Sequence, residues 1–133
     1  MAYTNIDDPS AYFQTLLYTG NSGNPRDLVN DGNSDLQPDW VWIKGRSHAD
    51  LHLLYDSSRG GGKFLRSEST AAENTGGYGL TAFNSDGFRT NAYAYSNENT
   101  HTYAAWQWKA NGGTTATNSD GSTDATVQVN QDA

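Results

Sequence analysis

The sequence predicts an all-β domain, a β-sandwich or jelly roll of about six to eight short antiparallel strands, behind a short N-terminal helical turn. Three observations lead there. Short runs rich in Val, Ile, Tyr, Phe and Trp recur along the chain, separated by clusters of Gly, Asn, Ser and Asp. Asp86-Gly87 stands between two apolar runs, which marks a hairpin because Gly takes the positive φ that such turns need. Neither a 3.6-residue apolar period nor a strand–helix alternation is visible.

The elements follow in order. Asp8-Pro9-Ser10 reads as a helical turn, because Asp accepts from free N–H groups and Pro fits the first helical position. Strands are expected from Phe13 to Tyr18, Asp39 to Lys44, Leu51 to Tyr55 and Phe64 to Ser67. Leu80 to Phe83 and Phe88 to Thr90 flank the Asn84-Ser85-Asp86-Gly87 turn, and Thr102 to Lys109 is the last long strand. Trp40 and Trp42 share one face of their strand, as do Trp106 and Trp108 of theirs. Their patterning assigns these four rings to the core. After Lys109 large apolar groups nearly vanish through Asp124, so this stretch reads as a linker. Residues 126–129 then alternate like a strand with no partner in view, and such a strand points to pairing outside the chain or to a longer natural chain. The organisation expected is an attachment segment over 1–18, a β-sandwich module over 19–110, and a linker with a terminal strand over 111–133.

Composition excludes several classes of function. The 133 residues make one domain of ordinary size, and the apolar fraction of 35% is low. Four Trp, eight Tyr and four Phe must therefore supply most of the buried area. A net charge of −7 with scattered Lys and Arg argues against a nucleic-acid surface. The absence of Cys excludes a disulfide scaffold, a thiol nucleophile and a zinc knuckle. No apolar run approaches the roughly 20 residues of a membrane span, and the N-terminal residues show no signal-peptide pattern.

Motifs that could carry chemistry are incomplete. Gly60-Gly61-Gly62-Lys63 lacks the upstream Gly and the following Ser or Thr of a phosphate loop, so it reads as a glycine-rich turn. Asp31, Asn33 and Asp35 begin like a calcium loop, but Leu36 and Trp42 replace its Gly and Glu. His48, Asp50 and His52 alternate and would share a face on a strand, with His101 brought near by pairing. Surface histidines are the commoner case. The serines lie in turns without a nucleophile elbow. No enzyme activity, metal or cofactor is expected. Tyr78, Tyr93, Tyr95 and Tyr103, in or beside loops, are the aromatic residues expected at the surface, where Tyr and neighbouring Asn could stack on and hydrogen-bond a glycan.

Several stretches then stand out as an ordered set. They are Tyr3 to Thr15, Leu17 to Gly20, Leu36 to Lys44, Tyr55 to Gly60, Phe83 to Phe88 and Tyr103 to Gly113. Together they resemble a family of modules in virion proteins of tailed bacteriophages, often labelled tail-fibre or structural proteins. The resemblance spans nearly the whole chain and implies no catalytic residues. It implies a structural component on the virion surface, a capsid decoration or a tail-fibre adaptor, that assembles in the host cytoplasm. Its partners would be other virion proteins and further copies of itself. The segments expected to make those contacts carry Tyr3, Ile6, Tyr12 and Phe13 at one end and Val127 and Val129 at the other. The alternative is a lectin-like module that recognises host glycan.

Overall fold

A computed structural model describes residues 6–110 and 115–127. The chain is all-β. Among the described residues there are nine strands: β1 (Phe13–Thr19), β2 (Arg26–Leu28), β3 (Trp40–Gly45), β4 (His52–Asp56), β5 (Leu80–Phe83), β6 (Phe88–Thr90), β7 (Thr102–Trp108), β8 (Ala116–Asn118) and β9 (Ala125–Val127). A 3-10 turn, Pro9–Ala11, and a four-residue helix, α1 (Ala94–Asn97), complete the list. No described helix is long and apolar enough to cross a membrane.

The strands form a four-stranded sheet in the order β1-β7-β3-β4, a three-stranded sheet β2-β6-β5, and a separate β8-β9 hairpin. Every pairing is antiparallel. The two larger sheets share one core. Tyr18, Val41, Ile43, Leu53, Tyr55, Tyr103 and Ala105 come from one side, and Leu28, Leu80 and Phe88 from the other. Phe64 joins them from the loop after β4, within 5.6 Å of the Tyr55 ring centre.

Local chemistry sets the boundaries. Asp8 caps the first turn by accepting from the Ser10 amide at 2.9 Å, and its other oxygen accepts from the Ser34 hydroxyl at 2.7 Å. The expected hairpin is present: Phe83 faces Phe88, Gly87 has φ +88°, and the Asn84 amide donates to the Gly87 carbonyl at 3.0 Å. A side chain on Gly87 would also collide with the Leu28 carbonyl, so the turn needs glycine twice over.

Several expectations require correction. The four tryptophans are not core. Each pair does share one face, but it is the outer face of the four-stranded sheet, where all four stay half-buried. The residues between them, Val41, Ile43, Ala105 and Gln107, face the second sheet and are fully buried. Phe64 to Ser67 is reduced to isolated bridges, Phe64 with Asn74 and Leu65 with Leu54. The strand expected to lack a partner has one inside the chain: Val127 lies opposite Ala116, within the stretch read as a linker. Tyr3 and Val129 lie outside the described residues.

Strand β2, Arg-Asp-Leu, is too short and too polar to be read from sequence. Pairing with β6 and burial of Leu28 hold it, and an ion pair at the surface adds to them. Asp27 accepts from Arg89 on β6 at 2.8 and 3.0 Å and from the Asn84 side-chain Nδ2 at 2.9 Å. Chiefly through Arg89, this holds the Asp27 carboxyl down at about 2. A depressed carboxyl contributes stability above its unfolded pKa and loses it as pH falls through the folded value. The stability gap between the native chain and Asp27→Asn is therefore expected to be flat above about pH 5 and to close as pH falls from about 4 towards 2. Urea titrations across that range would show it. A gap that does not narrow would mean the pair does not form in solution.

Candidate binding surfaces

The outer face of the four-stranded sheet is an aromatic ladder built by register. Phe13, Trp108, Trp40 and Asp56 form one cross-strand row, and Thr15, Trp106, Trp42 and Leu54 the next. Ring centres lie 4.9 Å apart for Phe13–Trp108, 4.5 Å for Trp40–Trp108 and 5.3 Å for Trp42–Trp106. These are tilted contacts of the kind that neighbouring aromatic rings favour. His52 closes the second row from two residues along β4, accepting at Nδ1 from the Trp42 indole N–H at 3.2 Å. At the β1 edge, Phe13 is 40% and Leu17 58% exposed. Sequence reasoning missed this surface because both faces of β3 and β7 carry large apolar groups, and alternation alone does not say which face a second sheet will cover.

A second surface lies at the far end of the same strands. Tyr18 and Tyr103 stack in the core, and their hydroxyls reach α1, Tyr18 donating to the Ser96 carbonyl at 2.7 Å and Tyr103 to the Ala94 carbonyl at 2.8 Å. Tyr93 immediately precedes this helix. Its ring stacks on Tyr78 at 5.1 Å and meets the edge of Tyr95 at 5.3 Å. Tyr78, Asn91, Ala92, Tyr93 and Asn24 line a shallow concavity of about 240 Å³. Tyr78 and Tyr95 are 48% and 37% exposed.

The backbone under Tyr78 is held from several sides. Gly77 and Gly79 both have φ +75°, and a side chain on Gly79 would strike the Tyr55 hydroxyl. Asn91 accepts from the Gly79 amide at 3.0 Å and donates to the Gly77 carbonyl at 2.9 Å. Tyr55 donates to the Tyr78 carbonyl at 3.2 Å. Opposite, buried Asn97 accepts from the Asn21 amide at 3.1 Å and from Arg26 at 2.8 Å, and donates to the carbonyls of Gly23 and Asn91. It thereby fixes the loop that presents Asn24.

Three of the four tyrosines expected at the surface, Tyr78, Tyr93 and Tyr95, come together here. Tyr103 does not. It is fully buried, its hydroxyl also accepts from the Glu98 amide at 3.0 Å, and burial pushes its phenol up to about 12. It supports the site from beneath. The sequence offered no signal for Asn24 or Asn91, whose positions depend on long-range packing.

The remaining motifs resolve as turns and local pairs. Gly60 and Gly62 take positive φ in a turn closed by the Arg59–Asp56 ion pair. The Asp31–Asp35 loop is tied to β1 through Gln14, which accepts from the Gly32 amide at 3.0 Å and donates to the Ser34 carbonyl. His48 and Asp50 lie in a loop rather than on a strand, so they share no face with His52. His48 instead stacks on His101 at 3.4 Å. Among the described residues no group of three or more His, Asp or Glu could hold a metal ion. Of the expected assembly residues, Phe13 lies on the tryptophan face, Ile6 and Tyr12 are half-buried around the first turn, and Val127 is half-buried in β9.

A family model described as "Domain of unknown function (DUF7483)" matches residues 8–133. No curated protein and no solved structure matches.

Removing Asn97 tests how far the concavity is built in advance. Asn97→Ala leaves two donors and two acceptors without their partner, at a cost of about 3 kcal/mol. The urea midpoint is expected to fall with an unchanged slope. A change under about 0.5 kcal/mol would mean that water replaces the amide at no loss.

Proposed function

The chain belongs to the DUF7483 family, and from that premise we propose that it is a non-catalytic structural component on the surface of a bacteriophage virion, a capsid decoration or tail-fibre adaptor. The observation that carries this reading is the half-exposed tryptophan ladder on the outer face of the four-stranded sheet. A surface of this composition is costly to leave in water and matches the energetic centre of protein interfaces. The ordered set of sequence stretches that resembles phage virion modules supports the setting.

The occupant of the face is a second copy of the chain. Four strands about 4.8 Å apart and seven residues at about 3.3 Å each make a patch of roughly 400 Å². Two such patches face to face, with side-chain relief, bury on the order of 1,000 Å², the lower bound for a specific interface. The two central strands put Trp40, Trp42, Trp106 and Trp108 in the middle, with Lys44 and Asp56 at the margins, so no like charges meet at the centre.

Two measurements test the proposal. In sedimentation equilibrium the chain is expected to self-associate, and Trp42→Glu is expected to weaken that association by about 30-fold or more. An antibody raised against the chain is expected to label purified virions from the lysate of its source. A monomer at all concentrations removes the self-assembly, and virions that lack the chain remove the structural role.

A further inference from the structure

We infer that the Tyr78–Tyr93 concavity is a saccharide site, in which a pyranose ring stacks on the exposed Tyr78 ring, backed by half-buried Tyr93, while the Asn24 carboxamide hydrogen-bonds its hydroxyls. This goes beyond the assembly role, and it uses the loops beside α1 rather than the outer face of the sheet.

Three features carry it. The first is presentation. An exposed ring on the surface of a small domain needs no fixed backbone, yet Tyr78 sits between two left-handed glycines with its neighbours clamped by Asn91 and Tyr55. Fixing the ring in advance lowers the ordering cost of binding. The second is chemistry. The rings offer electron-rich faces to the C–H side of a sugar. A carboxamide offers both a donor and an acceptor, the pair that vicinal hydroxyls require. The side chain of Asn24 and the hydroxyls of Tyr78, Tyr93 and Tyr95 make no hydrogen bond among the described residues, so they are free to do this. The third is size and charge. A concavity of about 240 Å³ lies below the roughly 300–1,000 Å³ of drug-sized sites, so it takes one ring at a time. None of the five lining residues is charged, which suits an uncharged ring, and the Arg66 guanidinium acts on Tyr93 from outside the lining. An extended proline-rich peptide also stacks on tyrosines, but it needs a groove several residues long.

The test is a panel of immobilised oligosaccharides built from glucose, galactose, mannose, N-acetylhexosamine and deoxyhexose units, with decaproline as the peptide control. The purified full chain is expected to be retained by at least one sugar class, with saturation transfer reaching tyrosine ring protons. Tyr78→Ala and Asn24→Ala are each expected to weaken retention about tenfold. Tyr78→Phe, which keeps the ring face, is expected to retain most of it, and Trp42→Ala to leave it unchanged. Circular dichroism confirms that each variant folds. Retention by no sugar at millimolar concentration, retention undiminished in Tyr78→Ala, or retention by decaproline alone would each overturn the site. Self-association is read separately on Tyr78→Ala, where it is expected to persist, so failure of the saccharide site and failure of the assembly role are distinguishable.

Discussion

Strand β7 is hydrogen-bonded on both sides, to β1 and to β3, and the phase of its alternation governs the molecule. Tyr103, Ala105 and Gln107 point into the sandwich, and Trp106 and Trp108 point out. The small side chain at Ala105 stands level with Leu16 and Ile43, which leaves room for the second sheet to approach. A slip of one residue would carry two indoles into that space and expel Tyr103. It would also break the hydroxyl contacts that Tyr103 makes with Ala94 and Glu98. One register thus fixes both the outer ladder and the seat of α1.

This constraint also explains what could be read from the sequence. Period-two alternation is a local property, and it located the long strands and paired the tryptophans on a common face. The turn at Asn84–Gly87 was legible because a single glycine φ controls it. The choice between the two faces was not legible, because it belongs to the covering sheet. That sheet consists of strands of three or four residues, and β2 owes its place to pairing with β6, to burial of Leu28 and to an Arg89–Asp27 contact, all between distant parts of the chain. Aromatic-to-core reasoning fails under these conditions. Tyr55 satisfies its hydroxyl at loop backbone and Tyr103 at the backbone of α1, so both can be buried, whereas Trp42 satisfies its indole N–H on the outer face, through His52.

The tyrosine concavity shows the same division between local and distant causes. Tyr78, Tyr93 and Tyr95 stood out because they lie beside turns. Asn24 and Asn91 did not, since nothing near them in the sequence specifies that they meet. What brings them together is Asn97, fully buried, which spends its whole hydrogen-bonding capacity on loop backbone and on Arg26. A buried amide with every group satisfied holds one geometry, because any displacement leaves a polar group without a partner. The site's shape is therefore a property of the folded chain before any ligand arrives.

The two proposed surfaces share one rigid sheet, the ladder on its outer face and the concavity beside α1 past one end of its strands, and this has a mechanical consequence. The first cross-strand row of the ladder runs from Phe13 to Trp40, at the start of β1, while α1 rests on Tyr18 and Tyr103 near its end. Between them lies paired sheet, in which a change at one end is opposed by every ladder hydrogen bond on the way. Occupation of one surface then has no soft element through which to alter the other. A module of this kind holds a fixed ring at a fixed distance from the tryptophan face. That property suits a component whose contact with its surroundings must survive assembly unchanged, and it explains why the exposed tyrosine is braced by so many buried groups.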